Sequence, residues 1–277
     1  MEIESNMKAY TLEFEVAKQL AEEAAKAILG IYYGELEKSI KADGTPVTNA
    51  DVLANKIILE GLRKNFPADG IISEEMAEVP GNGSSRTWYI DPIDGTKGFV
   101  NRSDHFSIHI GMTEGNQPVL GIVHKPTTGE YYYGIKGQGA YLHVPTGLER
   151  RLQVSQKDKI ILSLSKDFLL CEFGKEFLSR MPPYRTLVNG GEGLRIMRIA
   201  EGIANLHLPY DPTHCHTWDV CAPQAIAEEA GACVRYLNGE PITYHGQKEL
   251  GKYFVVASNP KLAEDAARVV REITPFF

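Results

Sequence analysis

The sequence predicts a mixed α/β fold, of the α+β kind, and three observations predict it. A helical run opens the chain, where Leu12, Val16, Leu20 and Ala24 recur at helical spacing. Apolar segments of strand length, broken by glycine and proline, then follow one another from 105 to 143 with no helical stretch between them, the pattern of an antiparallel meander. Beyond residue 150, short apolar strands alternate with helical stretches, the pattern of an α/β layer.

Taken in order, the first helix is expected over residues 8–29, with Gly30 as its stop. Residues 35–47 are polar and hold Lys41, Asp43, Gly44 and Pro46, so they read as a mobile loop. A second helix follows Thr48, which with Asp51 has the S/T-x-x-acid form of an N-terminal capping box. Its apolar stripe is Val52, Leu53, Ile57, Ile58 and Leu62, and Phe66-Pro67 ends it. Residues 70–73 read as a short buried strand leading into Glu74-Glu75, 77–86 as loop, and 87–90 as a strand that stops at Asp91-Pro92. The meander comprises 105–113, 118–125, 130–136 and 140–143; Tyr131, Tyr132 and Tyr133 alternate on it and read as sheet packing. Then come a strand at 160–164, a helix at 172–180, an extended piece at 186–188, a helix at 194–201, a strand at 204–208 and a helix at 219–230. Residues 1–150 form an N-terminal half with the antiparallel sheet and most of the clustered acids, and 151–277 a C-terminal α/β half. No linker or repeat separates them, so the halves are expected to pack tightly.

Composition narrows the function. With 43% hydrophobic and 23% charged residues the chain is an ordinary globular protein. A net charge of -7 argues against a nucleic-acid polymer as partner. No apolar run approaches the roughly 18 residues a spanning helix needs, so no membrane partner is expected. The first residues, MEIESNM, lack the basic start and apolar stretch of a secretory signal. Cys171, Cys215, Cys221 and Cys233 are sparse and form no C-x-x-C pair. A cytoplasmic protein with reduced thiols is expected.

The strongest chemical feature is DPIDGTKGF, residues 91–99. Asp91 follows an apolar strand, so its carboxylate can point beyond the sheet edge; Pro92 stiffens the turn, Asp94 can share the same space, and the Ile93 carbonyl adds a third hard oxygen. Gly95 and Thr96 form a bend able to offer backbone N–H groups to an anion. Oxygen ligands favour Mg²⁺ or Mn²⁺ over zinc. Three companions reinforce the cluster: ISEE at 72–75 sets another acid after a strand, TWD at 217–219 sets Asp219 at a helix start, and Asp51 lies beside Thr48.

Together these residues resemble the lithium-sensitive, Mg²⁺-dependent phosphatase superfamily that includes inositol monophosphatases and 3′(2′),5′-bisphosphate nucleotidases. Its D…EE…DP(I/L)DGT…WD-x11-GG signature is matched by Asp51, Glu74-Glu75, residues 91–96, Trp218-Asp219 and Gly231, with Ala232 in place of the last glycine. The resemblance implies a layered α-β-α-β-α sandwich with the site between the halves. It implies two or three Mg²⁺ ions, with Mn²⁺ as a substitute and Li⁺ as an inhibitor. Glu74, Asp91 and the Ile93 carbonyl resemble ligands of the first metal, and Asp91, Asp94 and Asp219 those of the second. Glu74 would help hold a third, weaker ion, and Thr96, hydrogen-bonded to Asp51, would help activate water. Homodimers are an expectation of the resemblance alone.

The substrate is read from smaller clues. Lys97 follows Thr96, and WDVCAPQAI at 218–226 is similar to the nucleotidases' WDxCAPEAI. Lys97 is either a cation for a second phosphate or an exposed helix-start lysine. In GGEGLR, 190–195, Arg195 stands where the nucleotidases have lysine, beside Gly191 at a tight turn. It can grip phosphate bidentately, although the Glu192 carboxylate opposes that. The glutamate that inositol monophosphatases place six residues before the tryptophan is absent: Pro212 stands there, with Asp211 one residue off. His214, Cys215, His216 and Cys221 have poor zinc spacing and read as packing or pocket wall. The expected reaction is hydrolysis of 3′-phosphoadenosine 5′-phosphate to AMP and phosphate. The alternatives are an inositol or sugar monophosphatase, and an inactive nucleotide or metal sensor. The retention of every ligand position and of Asp51 with Thr96 argues against the sensor.

Overall fold

The computed structural model describes residues 9–40, 46–211 and 215–274. Helix α1 (Thr11–Tyr33) packs against α2 (Asn49–Asn65). α1 buries Ala17, Ala21, Ala24, Ile28 and Tyr32, but Leu12 is 65% exposed. Four-residue steps drift by about 40° each on a 3.6-residue helix, so the row from Leu12 to Ala24 winds off the buried face. Gly30 does not stop α1. The helix ends at Gly34, whose N–H donates to the Ile31 carbonyl at 3.2 Å.

Part of the expected loop 35–47 is ordered as an antiparallel pair, β1 (Lys38–Ile40) and β2 (Pro46–Thr48). Lys41, Asp43 and Gly44 lie outside the described residues. The capping box of α2 forms as its spacing predicts: the Thr48 hydroxyl accepts from the Ala50 N–H, and Asp51 accepts from the Thr48 N–H at 2.8 Å. The buried stripe differs from expectation. Val52 and Leu53 are exposed, while Asp51 and Asn55 are buried in line with Ile58, Leu59 and Leu62. This end of α2 faces a polar sheet end, where the Ser73 hydroxyl donates to Asn55; polar side chains are therefore inside.

Eight strands form the large sheet: β3 (Gly70–Ser73), β4 (Met76–Val79), β5 (Arg86–Asp94), β6 (Ser107–Glu114), β7 (Gln117–Lys125), β8 (Glu130–Ile135), β9 (Gly139–His143) and β10 (Glu149–Arg151). Their order is β10-β9-β8-β7-β6-β5-β3-β4, an antiparallel meander in which β3 pairs with β5 in parallel. β4 falls mostly within 77–86, where the sequence predicts loop; its mostly exposed side chains lack the alternation that betrays a strand. β5 runs past its expected stop at Asp91 to Asp94. Its register with β6 shifts between those two residues, a bulge around Pro92, which has no N–H for the ladder.

The smaller sheet holds β11 (Ile161–Ser163), β12 (Arg185–Leu187), β13 (Leu206–His207), β14 (Cys233–Tyr236) and β15 (Phe254–Ala257), ordered β12-β11-β13-β15-β14. Short helices α3 (Thr96–Val100) and α4 (Lys166–Leu170) sit in loops. α5 (Glu172–Arg180), α6 (Glu192–Ala200), α7 (Thr217–Glu229) and α8 (Pro260–Ile273) complete the chain. Three apolar clusters define the layers. One joins α1 and α2 to one face of the large sheet, through Trp88, Ile90 and Ile110. The second fills the space between the sheets with α6 and α7. The third covers the far face of the small sheet with α5 and α8. The result is the expected α-β-α-β-α sandwich. Tyr131 and Tyr133 face the first cluster and Tyr132 the second, as strand alternation requires.

α7 is seated directly on sheet backbone. Gly111, Gly121 and Gly134 are register partners across β6, β7 and β8. A Cβ on Gly121 would stand 2.2 Å from the Ala222 carbonyl oxygen, and one on Gly134 would stand 2.8 Å from the Ile226 Cα. This glycine row fixes the height of α7, and so of Asp219, above the strands that carry Asp91 and Asp94.

Candidate active site

The sheet end where β3 and β5 finish carries the acids. Parallel pairing sets Ser73 beside Ile90, so the next residues, Glu74 and Asp91, emerge side by side; the Glu74 N–H donates to the Ile90 carbonyl at 3.2 Å. Asp94 follows across the bulge, opposite Ser107 on β6. Asp219 is the third residue of α7, and its carboxylate accepts from the His216 N–H at 2.6 Å. A cleft of about 610 Å³ opens here. Glu74, Asp94, Gly95, Thr96, Lys97, Gly191, Arg195 and Asp219 line it. Asp51, Asp91 and Ile93 lie behind its wall, each almost fully buried.

Asp91 is the most stressed group. Burial, then the charges of Glu74, Asp94 and Asp219, push its carboxyl well above the usual carboxylate range. Asp94 goes the other way. Burial alone would raise it, but His109, Arg195 and the Glu192 N–H together hold it below that range. Its two oxygens accept from the Glu192 and Gly193 N–H groups at 2.8 and 2.9 Å. These belong to the first turn of α6, where backbone donors and the helix dipole favour an anion. Two glycines permit that approach. A Cβ on Gly191 would stand 2.2 Å from Asp94 Oδ2, and one on Gly193 would stand 2.2 Å from His109 Nε2. His109 Nε2 also lies 3.0 Å from Ser107 Oγ and 3.3 Å from Asp94 Oδ2.

The expected Thr96–Asp51 hydrogen bond does not form. The Thr96 hydroxyl donates to the Ile93 carbonyl at 3.2 Å, and Asp51 holds the Thr48 hydroxyl at 2.6 Å and the Thr48 N–H. The Asp51 carboxylate is taken by the cap of α2.

The donor set fits a hard divalent cation: carboxylates, a carbonyl, and in Asp91 a charge the protein's own cations leave unbalanced. The set is not preassembled, however. Among the described residues no three His, Cys, Asp or Glu side chains converge on one point, because Asp94 and Asp219 are turned to backbone N–H groups.

Part of the cleft wall is cationic. Exposed Lys97 projects from the first turn of α3. Arg195 on α6 is bound by Glu192 Oε2 at 2.6 Å and by the Gly190 carbonyl, while its buried Nε has no partner. Cys215 lines the cleft, burial pushing its thiol well up. Cys221 packs under α7 against Gly111. His214 and Pro212 lie outside the described residues, and Asp211 lines the cleft. Sequence reasoning missed Ser107, His109 and His207. The signal was available: each is a polar residue on an otherwise apolar strand, and Ser107 and His109, two apart, share one face.

Residues 10–274 match the inositol monophosphatase family. Over 232 residues the chain is 33% identical to the 3′(2′),5′-bisphosphate nucleotidase CysQ of Escherichia coli (strain K12), covering 82% of this chain and 91% of that one. It is 30% identical over 254 residues to a histidinol-phosphatase of Chlorobaculum parvum (strain DSM 263 / NCIMB 8327), covering 90% and 93%. The solved structure of a Thermotoga maritima IMPase superposes with a TM-score of 0.77 at 27% identity, covering 95% of this chain and 98% of that one.

Proposed function

The chain belongs to the inositol monophosphatase family and is a metal-dependent hydrolase of phosphate monoesters; on that premise we propose that it is a 3′(2′),5′-bisphosphate nucleotidase, which takes 3′-phosphoadenosine 5′-phosphate to AMP and phosphate. One observation carries the substrate reading: Lys97 and Arg195 line the same cleft as the acidic cluster, so a substrate whose reacting phosphate meets the acids has cations within the cleft for a second. The identity to the CysQ nucleotidase supports it.

Glu74, Asp91, the Ile93 carbonyl, Asp94 and Asp219 would hold two or three Mg²⁺ ions, or Mn²⁺. Magnesium bound there would supply positive charge for the phosphoryl oxygens and would lower the pKa of water. The chain's own groups do the rest. Gly95 and Thr96 offer backbone N–H groups to the reacting phosphate. Glu74 and Thr96 would orient the attacking water, and Asp51 would take its proton through Thr96 once that hydroxyl leaves the Ile93 carbonyl and Asp51 releases the Thr48 hydroxyl. Gly191 lets α6 close on Asp94, and Arg195 faces the phosphate that is retained. Four free cysteines suit a reducing compartment such as the cytoplasm. Among the described residues no helix is long and apolar enough to cross a membrane.

The test is phosphate release from 3′-phosphoadenosine 5′-phosphate beside a panel of generic monoesters, with Mg²⁺. Equal rates across the panel would sink the nucleotidase reading. Millimolar Li⁺ is expected to inhibit; full activity in its presence counts against the metal assignment. The second reading, an inositol or sugar monophosphatase, is favoured by one contact: Glu192 engages the guanidinium that a second phosphate would need.

A further inference from the structure

Arg195 does not stand alone. One Glu192 oxygen holds its guanidinium at 2.6 Å, and the other lies 2.6 Å from His207 Nε2. The Nδ1 of that ring lies 2.6 Å from the Ser163 carbonyl oxygen. His207 sits on β13 with 0% exposure, behind the wall that Glu192 and Arg195 present to the cleft.

Both ring nitrogens of His207 therefore face oxygen atoms, one a backbone carbonyl that can only accept. A neutral imidazole has a single N–H. Nδ1 can only donate to that carbonyl, which leaves Nε2 to share its contact with the Glu192 carboxyl. The result is a buried chain of contacts from His207 through Glu192 to Arg195, in which the two Glu192 oxygens are divided between the ring and the guanidinium. The glutamate that looks from the sequence like an opponent of Arg195 is thus held from behind. Arg195 keeps donors for another partner, including its buried, unpartnered Nε, and an unpaired buried donor is costly until something fills it.

We propose that His207 is a positioning residue which, acting through Glu192, orients Arg195 toward the second phosphate of a doubly phosphorylated substrate. This rests on the reading of the cleft as a site for a doubly phosphorylated nucleotide. It adds a determinant of specificity that touches no substrate and lies on the smaller sheet.

The test combines kinetics with a direct view of the guanidinium. Rates with Mg²⁺ are measured on 3′-phosphoadenosine 5′-phosphate and on adenosine 3′-phosphate, which lacks the second phosphate, for wild type, His207→Gln and Glu192→Gln. In both variants KM for the bisphosphate is expected to rise about tenfold more than KM for the monophosphate, with kcat changed by about twofold or less. The Arg195 guanidinium N–H signals in ¹⁵N-labelled protein, assigned by their loss in Arg195→Lys, are expected to shift or broaden in both variants. Glu192→Gln keeps the shape of the side chain and serves if His207→Gln does not fold. Equal losses on the two substrates, or unmoved Arg195 signals, overturn the inference. A wild type with no preference for the bisphosphate overturns the substrate reading instead. In that case the Arg195 signals still decide the positioning role, upheld by a shift and refuted by its absence.

Discussion

The two walls of the cleft are built by opposite means. The acidic wall is assembled mostly locally: Asp91 and Asp94 are three residues apart on one strand, parallel pairing of β3 with β5 brings Glu74 alongside, and Asp219 alone comes from a distant helix. The cationic wall is assembled at long range. Its helix is held by N–H groups reaching a carboxylate 98 residues away, and its arginine is backed by a histidine on the other sheet. The charge balance differs too. Glu192 is paired with Arg195 and contacts His207, whereas Asp91 is opposed by the charges of Glu74, Asp94 and Asp219. One wall has its partners as folded, and the other is the place the proposed Mg²⁺ ions would occupy.

Exchanging single acids is the severest way to break this comparison. Asp91→Asn and Asp94→Asn are each expected to reduce phosphate release by about a thousandfold or more, since either removes a charged ligand of the reaction centre. Their stabilities should diverge. A carboxyl whose pKa rises on folding weakens the fold as pH climbs above its unfolded value; Asp91→Asn should therefore raise the metal-free thermal midpoint at neutral pH. Asp94→Asn leaves one α6 N–H without an oxygen and should cost about 1–3 kcal/mol. Thermal unfolding in chelator separates the two, and a fall for both would mean that Asp91 is not strained.

Next in size is Gly191→Ala, which forces a Cβ against Asp94 Oδ2. Pushing the walls apart by about an ångström should lower kcat/KM by about a hundredfold, measured on the preferred substrate. Unchanged kcat/KM would show that the contact between α6 and Asp94 is dispensable. Gly121→Ala acts farther away, lifting α7 off the sheet at the Ala222 carbonyl. About 1–3 kcal/mol of stability should be lost to overpacking, seen in denaturant unfolding. Smallest is Thr48→Ala, which removes the cap of α2 at about 1 kcal/mol and releases Asp51 from the hydroxyl it now holds.

The same contrast governs what the sequence reveals. Most of the acidic wall was legible because Glu74, Asp91 and Asp94 sit at adjacent strand ends, so local geometry converts spacing into position; Asp219 was legible from its place at a helix start. The capping box at Thr48 and the meander were legible for the same reason. The burial of Asp51 and Asn55 was not, because the helix period alone does not say that a polar sheet end lies beneath them. β4 escaped because an edge strand with exposed side chains carries no alternation. Glu192 beside Arg195 reads as a competitor, and only the fold supplies the His207 that holds its other oxygen. Gly190-Gly191 reads as a turn, while Gly191, with Gly193, lets a helix touch Asp94 and His109.

The most direct test of the function argued for here is the ratio of kcat/KM for 3′-phosphoadenosine 5′-phosphate to that for inositol 1-phosphate, with purified protein and Mg²⁺. A nucleotide preference of about a hundredfold or more, about 2.7 kcal/mol of transition-state discrimination, is the expected result and assigns the cationic wall to a second phosphate. A preference for inositol 1-phosphate would leave the metal chemistry standing and contradict the substrate.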